Sequence, residues 1–285
     1  MKYPFIITFS IRQDSSLIIN NKQVINSVSN QYLVDVKVDE EQSSDSEFLC
    51  YASANKIGTD VNGNAIEIYA ISGSASDTSN FNIEWNVNIS QEPPLGILCN
   101  LNCMDVHNGR IYIAGYADVE KEVNPANGGY WDAGIVGAVS TNGSLEWLKK
   151  VILSSYSENY YSLFTTGGIV YAGGNYSSYV KSSSGEMHGL AMISMFDAES
   201  GEEIYHIGLG STEYGSGFYS IYIIGDRAYC GGYTKYYVED GNFVGWFVEV
   251  SLGNLMNSKR SELPLILPVR KGVARSLDVQ FEKME

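Results

Sequence analysis

The hexapeptide Ile111-Tyr112-Ile113-Ala114-Gly115-Tyr116 recurs twice in related form in this chain of 285 residues. Its counterparts are Val170-Tyr171-Ala172-Gly173-Gly174-Asn175 and Ala228-Tyr229-Cys230-Gly231-Gly232-Tyr233. The tyrosines at the second position of the motif lie 59 and 58 residues apart. Self-similarity at such a period, in segments rich in β-branched and aromatic residues, predicts an array of similar β-sheet units.

Each unit contains four predicted strands, which we denote A to D in chain order. The turn between strands A and B reads Asn108-Gly109, Gly167-Gly168 and Gly225-Asp226 in three successive units. These dipeptides tolerate positive φ and therefore suit two-residue hairpin turns. Four-stranded hairpin units in series predict an all-β fold, a β-propeller of four-stranded antiparallel blades.

The repeats cover about residues 32–90, 97–152, 160–209 and 218–267. We therefore predict a single domain over 1–285, with five blades. Further strands are predicted in both terminal segments, so 1–31 and 268–285 would form the closing blade and leave no exposed sheet edge. A four-bladed ring with an N-terminal extension is the alternative.

Large aromatic residues occupy one position of strand D, at Trp85, Trp147 and Tyr205. Aromatic side chains at a fixed outer position most simply pack one blade against the next.

The order of motifs resembles known repeat families. The second unit, with its Asn-Gly turns, Ile-Tyr-Ile-Ala-Gly-Tyr and Leu-Glu-Trp, resembles the β-propeller repeats of the bacterial SBBP type. The doublets Gly173-Gly174 and Gly231-Gly232 are similar to those of kelch repeats, although the first two units lack them. The resemblance implies a propeller and no particular activity, because propellers carry many functions.

The net charge of −15 excludes a basic surface for nucleic acid or an anionic membrane. No apolar run approaches the ~20 residues of a membrane span, and the N-terminus lacks a small-residue cleavage site. We therefore predict a soluble chain without a signal peptide, of undetermined localisation. The four cysteines are expected to be buried free thiols, and no cofactor is expected.

The two ends of the propeller differ in their connections. The A–B and C–D turns are tight, whereas the B–C loops and the D–A links between blades are long and rich in aromatic residues. Long loops on a rigid scaffold commonly carry binding functions. The predicted binding residues on this long-loop face are Tyr130, Trp131, Tyr156, Tyr160, Tyr176, Tyr179, Tyr214, Tyr236 and Tyr237.

The leading functional prediction is a non-catalytic interaction or structural module. It would bind a protein partner through the long-loop face, and it could be a subunit of a larger surface or virion assembly. One alternative is a carbohydrate-binding, lectin-like propeller, in which exposed Tyr and Trp stack on sugar rings. The other is a glycoside hydrolase, with Asp35 and Asp105 on inner strands as its two carboxylates.

A weak calcium motif is present at Asp60, Asn62 and Asn64, where oxygen-bearing side chains alternate. The glycine expected after the third ligand is Ala65. An ordinary polar turn is therefore the favoured interpretation, and no metal site is predicted.

Overall fold

A computed structural model describes residues 5–11, 17–24, 31–39, 42–44, 47–56, 65–74, 81–89, 99–119, 131–152, 157–177, 189–210, 215–234, 244–253 and 266–267. The N-terminal strands β1 (Phe5–Ile11) and β2 (Leu17–Val24) pair as an antiparallel hairpin. The first sheet consists of β3 (Gln31–Val38), β4 (Glu47–Lys56), β5 (Ala65–Ser74) and β6 (Phe81–Asn88). Its strands pair in chain order, as a meander.

Two further four-stranded meanders follow. The second sheet consists of β7 (Cys99–His107), β8 (Arg110–Val119), β9 (Trp131–Ser140) and β10 (Leu145–Val151). The third consists of β11 (Glu158–Thr166), β12 (Ile169–Ser177), β13 (Gly189–Asp197) and β14 (Glu203–Leu209). The fourth sheet contains β15 (Ser216–Ile224), β16 (Arg227–Thr234) and β17 (Val244–Ser251).

The tight turns have the predicted backbone conformation. Asn108 and Gly109 have φ of 50° and 69°, and Gly167 and Gly168 have φ of 60° and 76°. Gly225 has φ of 59° and begins the equivalent turn of the fourth sheet. Positive φ matches the twist of the flanking strands, so these dipeptides close the A–B hairpins.

The sheets follow one another around an axis lined by their first strands, β3, β7, β11 and β15. Each of these inner strands contacts the inner strand of the next sheet. The three largest apolar cores lie between consecutive sheets: first with second, second with third, and third with fourth. The chain is therefore an all-β propeller of antiparallel blades, as the repeat predicts.

The outer-strand tryptophans of the first and second sheets donate hydrogen bonds to the sheet that follows. The indole N–H of Trp85 donates to the backbone carbonyl of Thr141, 3.0 Å away in the C–D turn of the second sheet. The indole N–H of Trp147 donates to the backbone carbonyl of Ala198, 3.2 Å away in the corresponding turn of the third sheet. These contacts confirm the predicted inter-blade packing, and Tyr205 likewise packs against the core between the third and fourth sheets.

A β-bulge at one position of every inner strand explains the glycine of the repeat. The bulged residues are Val34, Asn102, Tyr161 and Tyr219. On the adjacent strand, Gly115, Gly174 and Gly232 lie where a Cβ would overlap the backbone carbonyl oxygen of the inner strand just before the bulge. The bulge therefore admits only glycine in these three sheets, and Ala54 occupies the equivalent place in the first.

Two sheet faces remain open among the described residues. Phe247 of the fourth sheet is 60% exposed, whereas its equivalents Ile68, Val136 and Ile193 are fully buried. On the first sheet Val36 is 41% exposed, although its equivalents in the other inner strands are buried.

The fourth repeat differs from its prediction at its end. Strand β18 (Ile266–Leu267) pairs in parallel with β14 of the third sheet and does not complete the fourth. The chain therefore returns to the neighbouring sheet after β17. The closing blade stays a prediction, and residues 268–285 lie outside the described part of the chain.

Candidate functional site

The inner strands carry the two predicted carboxylates. Asp35 on β3 accepts a hydrogen bond from its neighbour Val36 at Oδ1 and one from the amide of Met104 on β7 at Oδ2, at 2.9 and 3.0 Å. Asp105 on β7 accepts from Val106 at Oδ1 and from the amide of Thr165 on β11 at Oδ2, at 3.0 and 2.7 Å. Each carboxylate thus joins its own inner strand to that of the next sheet.

The pKa of Asp105 is higher than that of a carboxyl group in water. Burial raises its pKa, against the lowering effects of the hydrogen bonds from Thr165 and Val106 and of the cation Lys37. Desolvation disfavours the charged form of a carboxyl group, and here it outweighs the hydrogen bonds. Asp105 therefore keeps its proton to a higher pH than an ordinary aspartate.

The charge of Lys37 acts on both carboxylates. Its ammonium is 3.9 Å from Oδ2 of Asp35, and its charge also acts on Asp105. Cys103 is buried beside these three side chains, and burial raises the pKa of its thiol. A buried thiol that resists ionisation is a poor nucleophile. The chemistry of this cluster therefore belongs to Asp35, Lys37 and Asp105.

A second cluster, of tyrosines, lies at the long-loop end of the inner strands. The ring of Tyr219 is 5.2 Å from that of Tyr161 and 5.2 Å from that of Tyr233, measured between centroids. Tyr116 and Asp132 also lie within electrostatic range of Tyr161. We refer to Tyr116, Tyr161, Tyr219 and Tyr233 as the tyrosine cluster.

The bulge places Tyr219 on the open side of its strand. In regular β-structure, successive side chains alternate between faces, but the extra residue of a bulge re-aims one of them. Tyr219 and Ser220 are consecutive, and both are exposed. Tyr161 occupies the same bulge position on β11, so both tyrosines reach the same opening.

Two of the predicted binding residues are buried, which corrects their assignment to the surface. Tyr160 alternates into the core between the second and third sheets, where its hydroxyl donates to Ser194 at 3.0 Å. Tyr176 lies in the same core, and burial raises its pKa to about 12. Neither ring is available to a partner.

The remaining predicted binding residues receive no structural test. Trp131 begins β9, and its side chain is not described. Tyr130, Tyr156, Tyr179, Tyr214, Tyr236 and Tyr237 lie outside the described residues, as do Asp60, Asn62 and Asn64. Within the described ranges, no group of three or more His, Cys, Asp or Glu side chains could hold a metal ion.

Sequence reasoning missed the tyrosine cluster and Lys37, although the repeat contained a signal for the former. Tyr116 and Tyr233 both follow the glycine that faces the bulge. Tyr161 and Tyr219 are the bulged residues of consecutive inner strands. A residue-by-residue alignment of the first two strands of each repeat places Tyr161 with Tyr219 and Tyr116 with Tyr233.

The fold and this site together define a β-propeller with carboxylates on its inner strands and aromatic residues at one end. No protein-family model and no curated protein matches the chain. The SBBP-type and kelch resemblance is therefore not supported beyond the propeller fold.

The solved structures similar to the chain include two propeller-like enzymes that act on arabinose-containing glycans. An α-L-arabinanase of Penicillium chrysogenum in complex with arabinobiose is 10% identical, with a TM-score of 0.47, and the match covers 85% of this chain and 73% of that one. An α-L-arabinofuranosidase of Fusarium graminearum is 11% identical, with a TM-score of 0.46, and the match covers 86% of this chain and 73% of that one. A europium-containing methanol dehydrogenase is 11% identical, with a TM-score of 0.37; the match covers 64% of this chain and spans only 33% of that one. At this identity the likeness concerns the fold.

These neighbours correct the leading functional prediction. The sequence favoured a non-catalytic module with a protein partner, whereas the similar arabinanase and arabinofuranosidase are glycoside hydrolases. The prediction of a structural, protein-binding module without enzymatic activity is contradicted by this comparison. No helix among the described residues is long and apolar enough to cross a membrane.

Proposed function

We propose that this chain is a glycoside hydrolase whose reacting carboxyl groups are Asp35 and Asp105. The observation that carries the proposal is the pair itself: two part-buried carboxyl groups on consecutive inner strands, both within electrostatic range of Lys37, in unlike surroundings. Glycoside cleavage needs one carboxyl group that donates a proton and one that stays ionised.

Asp105 suits the role of general acid. Its raised pKa keeps a proton available for the leaving-group oxygen over a wider pH range than an ordinary aspartate would allow. Asp35 then takes the role of base or nucleophile, with the ammonium of Lys37 3.9 Å from its carboxylate. Lys37 is a positioning residue in this scheme.

The register of the inner strands supports the pairing. Counted from the bulge, Asp35 is the first residue after it and Asp105 the third. Two residues of strand correspond to an offset of about 7 Å along the strand direction. An offset of two residues also keeps the two side chains on the same face of their strands, because side chains alternate between faces.

The test is hydrolysis by the purified full chain of a panel of aryl furanosides and pyranosides, together with linear oligosaccharides. We expect turnover of at least one substrate, and a loss of about 100-fold or more in Asp105→Asn and Asp35→Asn. Glu202→Gln, an exposed change in the C–D turn of the third sheet, serves as the control and should retain full activity.

Leaving-group dependence separates an acid from a structural residue. Asp105→Asn should retain most of its activity on a dinitrophenyl glycoside, because that leaving group departs without protonation, and lose activity on an unactivated glycoside. An equal loss on both substrates, or no turnover of any substrate by the unmodified chain, would overturn the proposal.

A further inference from the structure

The tyrosine cluster is a packed but accessible aromatic surface. Tyr219 is 59% exposed, and its ring lies edge-on to Tyr161 and tilted on Tyr233. The side-chain amide of Asn175 donates to the hydroxyl of Tyr233 at 3.5 Å. The rings are thus fixed by one another and by a neighbouring strand, while one face of the cluster stays open.

Part of the exposure of Tyr219 belongs to the bulge position itself, and the rest to the open face of the fourth sheet. The equivalent bulge residues Val34, Asn102 and Tyr161 all have a following sheet in place, and each is still part-exposed. Residues that pack between blades behave differently, since Met104, Leu163 and Ile221 are buried. The bulge position is therefore at least part-exposed in each of the four sheets.

The chemistry of the cluster matches that of a sugar ring. A tyrosine presents an apolar ring face together with a hydroxyl group that can donate or accept. The hydroxyl of Tyr161 is protonated at neutral pH, as in any tyrosine, and burial raises its pKa further. A saccharide offers the complement, with apolar C–H faces and a rim of hydroxyl groups.

Charge restricts the class of saccharide. Asp132 lies within electrostatic range of Tyr161, and the chain as a whole carries a net charge of −15. A uronate or sulfated glycan would therefore be repelled both locally and at long range.

From these observations we infer that the tyrosine cluster binds a neutral saccharide by stacking a sugar ring on Tyr219, at the long-loop entrance to the carboxylates. This inference rests on the proposed function, because it assigns part of the substrate to that site.

Calorimetric titration of the full-length Asp105→Asn variant tests the inference without turnover. The probes are neutral arabino-, xylo- and malto-oligosaccharides of three to five units, with oligogalacturonate of the same length as the charged control. We expect at least one neutral series to bind and oligogalacturonate to bind about tenfold more weakly or not at all.

Two substitutions at one position isolate the role of the ring. Tyr219→Leu keeps an apolar side chain without the ring and should weaken binding about tenfold, whereas Tyr219→Phe should stay within about threefold. Both variants should melt within a few degrees of the parent. Equal affinities for the Leu and Phe variants, equal binding of oligogalacturonate, or protection of Tyr219 from tetranitromethane in the free chain would overturn the inference.

The two proposals fail in different ways. If the unmodified chain hydrolyses a substrate but its binding of neutral saccharides does not depend on Tyr219, the inferred saccharide site is wrong and the proposed hydrolase stands. If saccharide binding depends on Tyr219 but the chain hydrolyses no substrate, the proposed hydrolase is wrong and the saccharide site stands.

Discussion

The carboxylate of Asp105 accepts a 2.7 Å hydrogen bond from the backbone amide of Thr165, across the boundary between the second and third sheets. Asp35 makes the same kind of bond to Met104 one sheet earlier. Inner strands receive ladder hydrogen bonds on one side only, so their amides on the other side need partners from elsewhere. The two aspartates supply such partners, whatever chemistry they also perform.

Removal of the Asp105 carboxylate should therefore destabilise the propeller. Asp105→Ala leaves the amides of Thr165 and Val106 without their acceptor and should lower the free energy of unfolding by about 2 kcal/mol. Asp105→Asn keeps one oxygen acceptor and should cost less. Urea denaturation measures both, and Glu202→Ala on an exposed turn should leave the midpoint unchanged. Equal stability of Asp105→Ala and the parent would contradict the structural role.

The raised pKa of Asp105 predicts a pH dependence of stability. The folded chain binds this proton more tightly than the unfolded chain, so folding is favoured while the group is protonated. The contribution of Asp105 is complete below the ordinary aspartate pKa and is lost as pH rises through the raised value in the folded state. The stability of the parent relative to Asp105→Asn, measured by thermal melting across this range, should be greatest at low pH and should fall as pH rises through the raised pKa. A constant difference at every pH would argue against a raised pKa.

The glycine that faces the bulge in the second, third and fourth sheets should not tolerate a side chain. In Gly174→Ala the new Cβ would overlap the carbonyl oxygen of Asn159, which belongs to the backbone and cannot move aside as a side chain can. We expect a loss of about 3 kcal/mol or more, at the upper end of the cost of overpacking. Gly245→Ala is the matched control, because its Cβ meets open space, and should change stability by less than about 1 kcal/mol. Comparable stabilities of the two variants would show that the bulge relaxes.

The indole hydrogen bond of Trp147 should contribute measurably to the contact between blades. Trp147→Phe keeps an aromatic ring above Gly201 but leaves the carbonyl of Ala198 without the indole donor. The expected loss is about 1–3 kcal/mol, from the missing bond and the smaller ring. Chemical denaturation gives the value. An unchanged midpoint would mean that another donor, such as the hydroxyl of Tyr112 at 3.5 Å, suffices.

We expect a fifth blade, formed by the terminal segments, to cover the open faces of the first and fourth sheets. The four native cysteines are buried, so an introduced thiol can be followed alone. A cysteine replacing Phe247 should react slowly in the full chain and quickly in a chain that lacks residues 1–24. Glu202→Cys should react quickly in both. Fast labelling of the Phe247→Cys variant in the full chain would contradict the fifth blade.

Much of the fold was predictable because its determinants are local. The Asn108-Gly109 turn and its counterparts need only a backbone that accepts positive φ, which the residues themselves provide. The outer-strand position of Trp85 and Trp147 was equally visible, because the repeat places them in register.

The site was less predictable because bulges break alternation. Regular alternation of side chains would put Tyr219 on the same, buried face as Ile221. The bulge instead turns Tyr219 outward. Tyr160 and Tyr176 were assigned to the long-loop face from their position near loops, yet each alternates into the core. One residue of register decides between these outcomes.

The sequence by itself determined the strands, the tight turns and the repeated sheet, since each depends on a few adjacent residues. Tertiary structure alone decided that Asp105 reaches Thr165, that the charge of Lys37 acts on Asp105, and that tyrosines from three sheets lie near one another. These relationships include one between residues that lie 60 positions apart in the chain. They depend on how sheets stack around the axis, which no local pattern encodes.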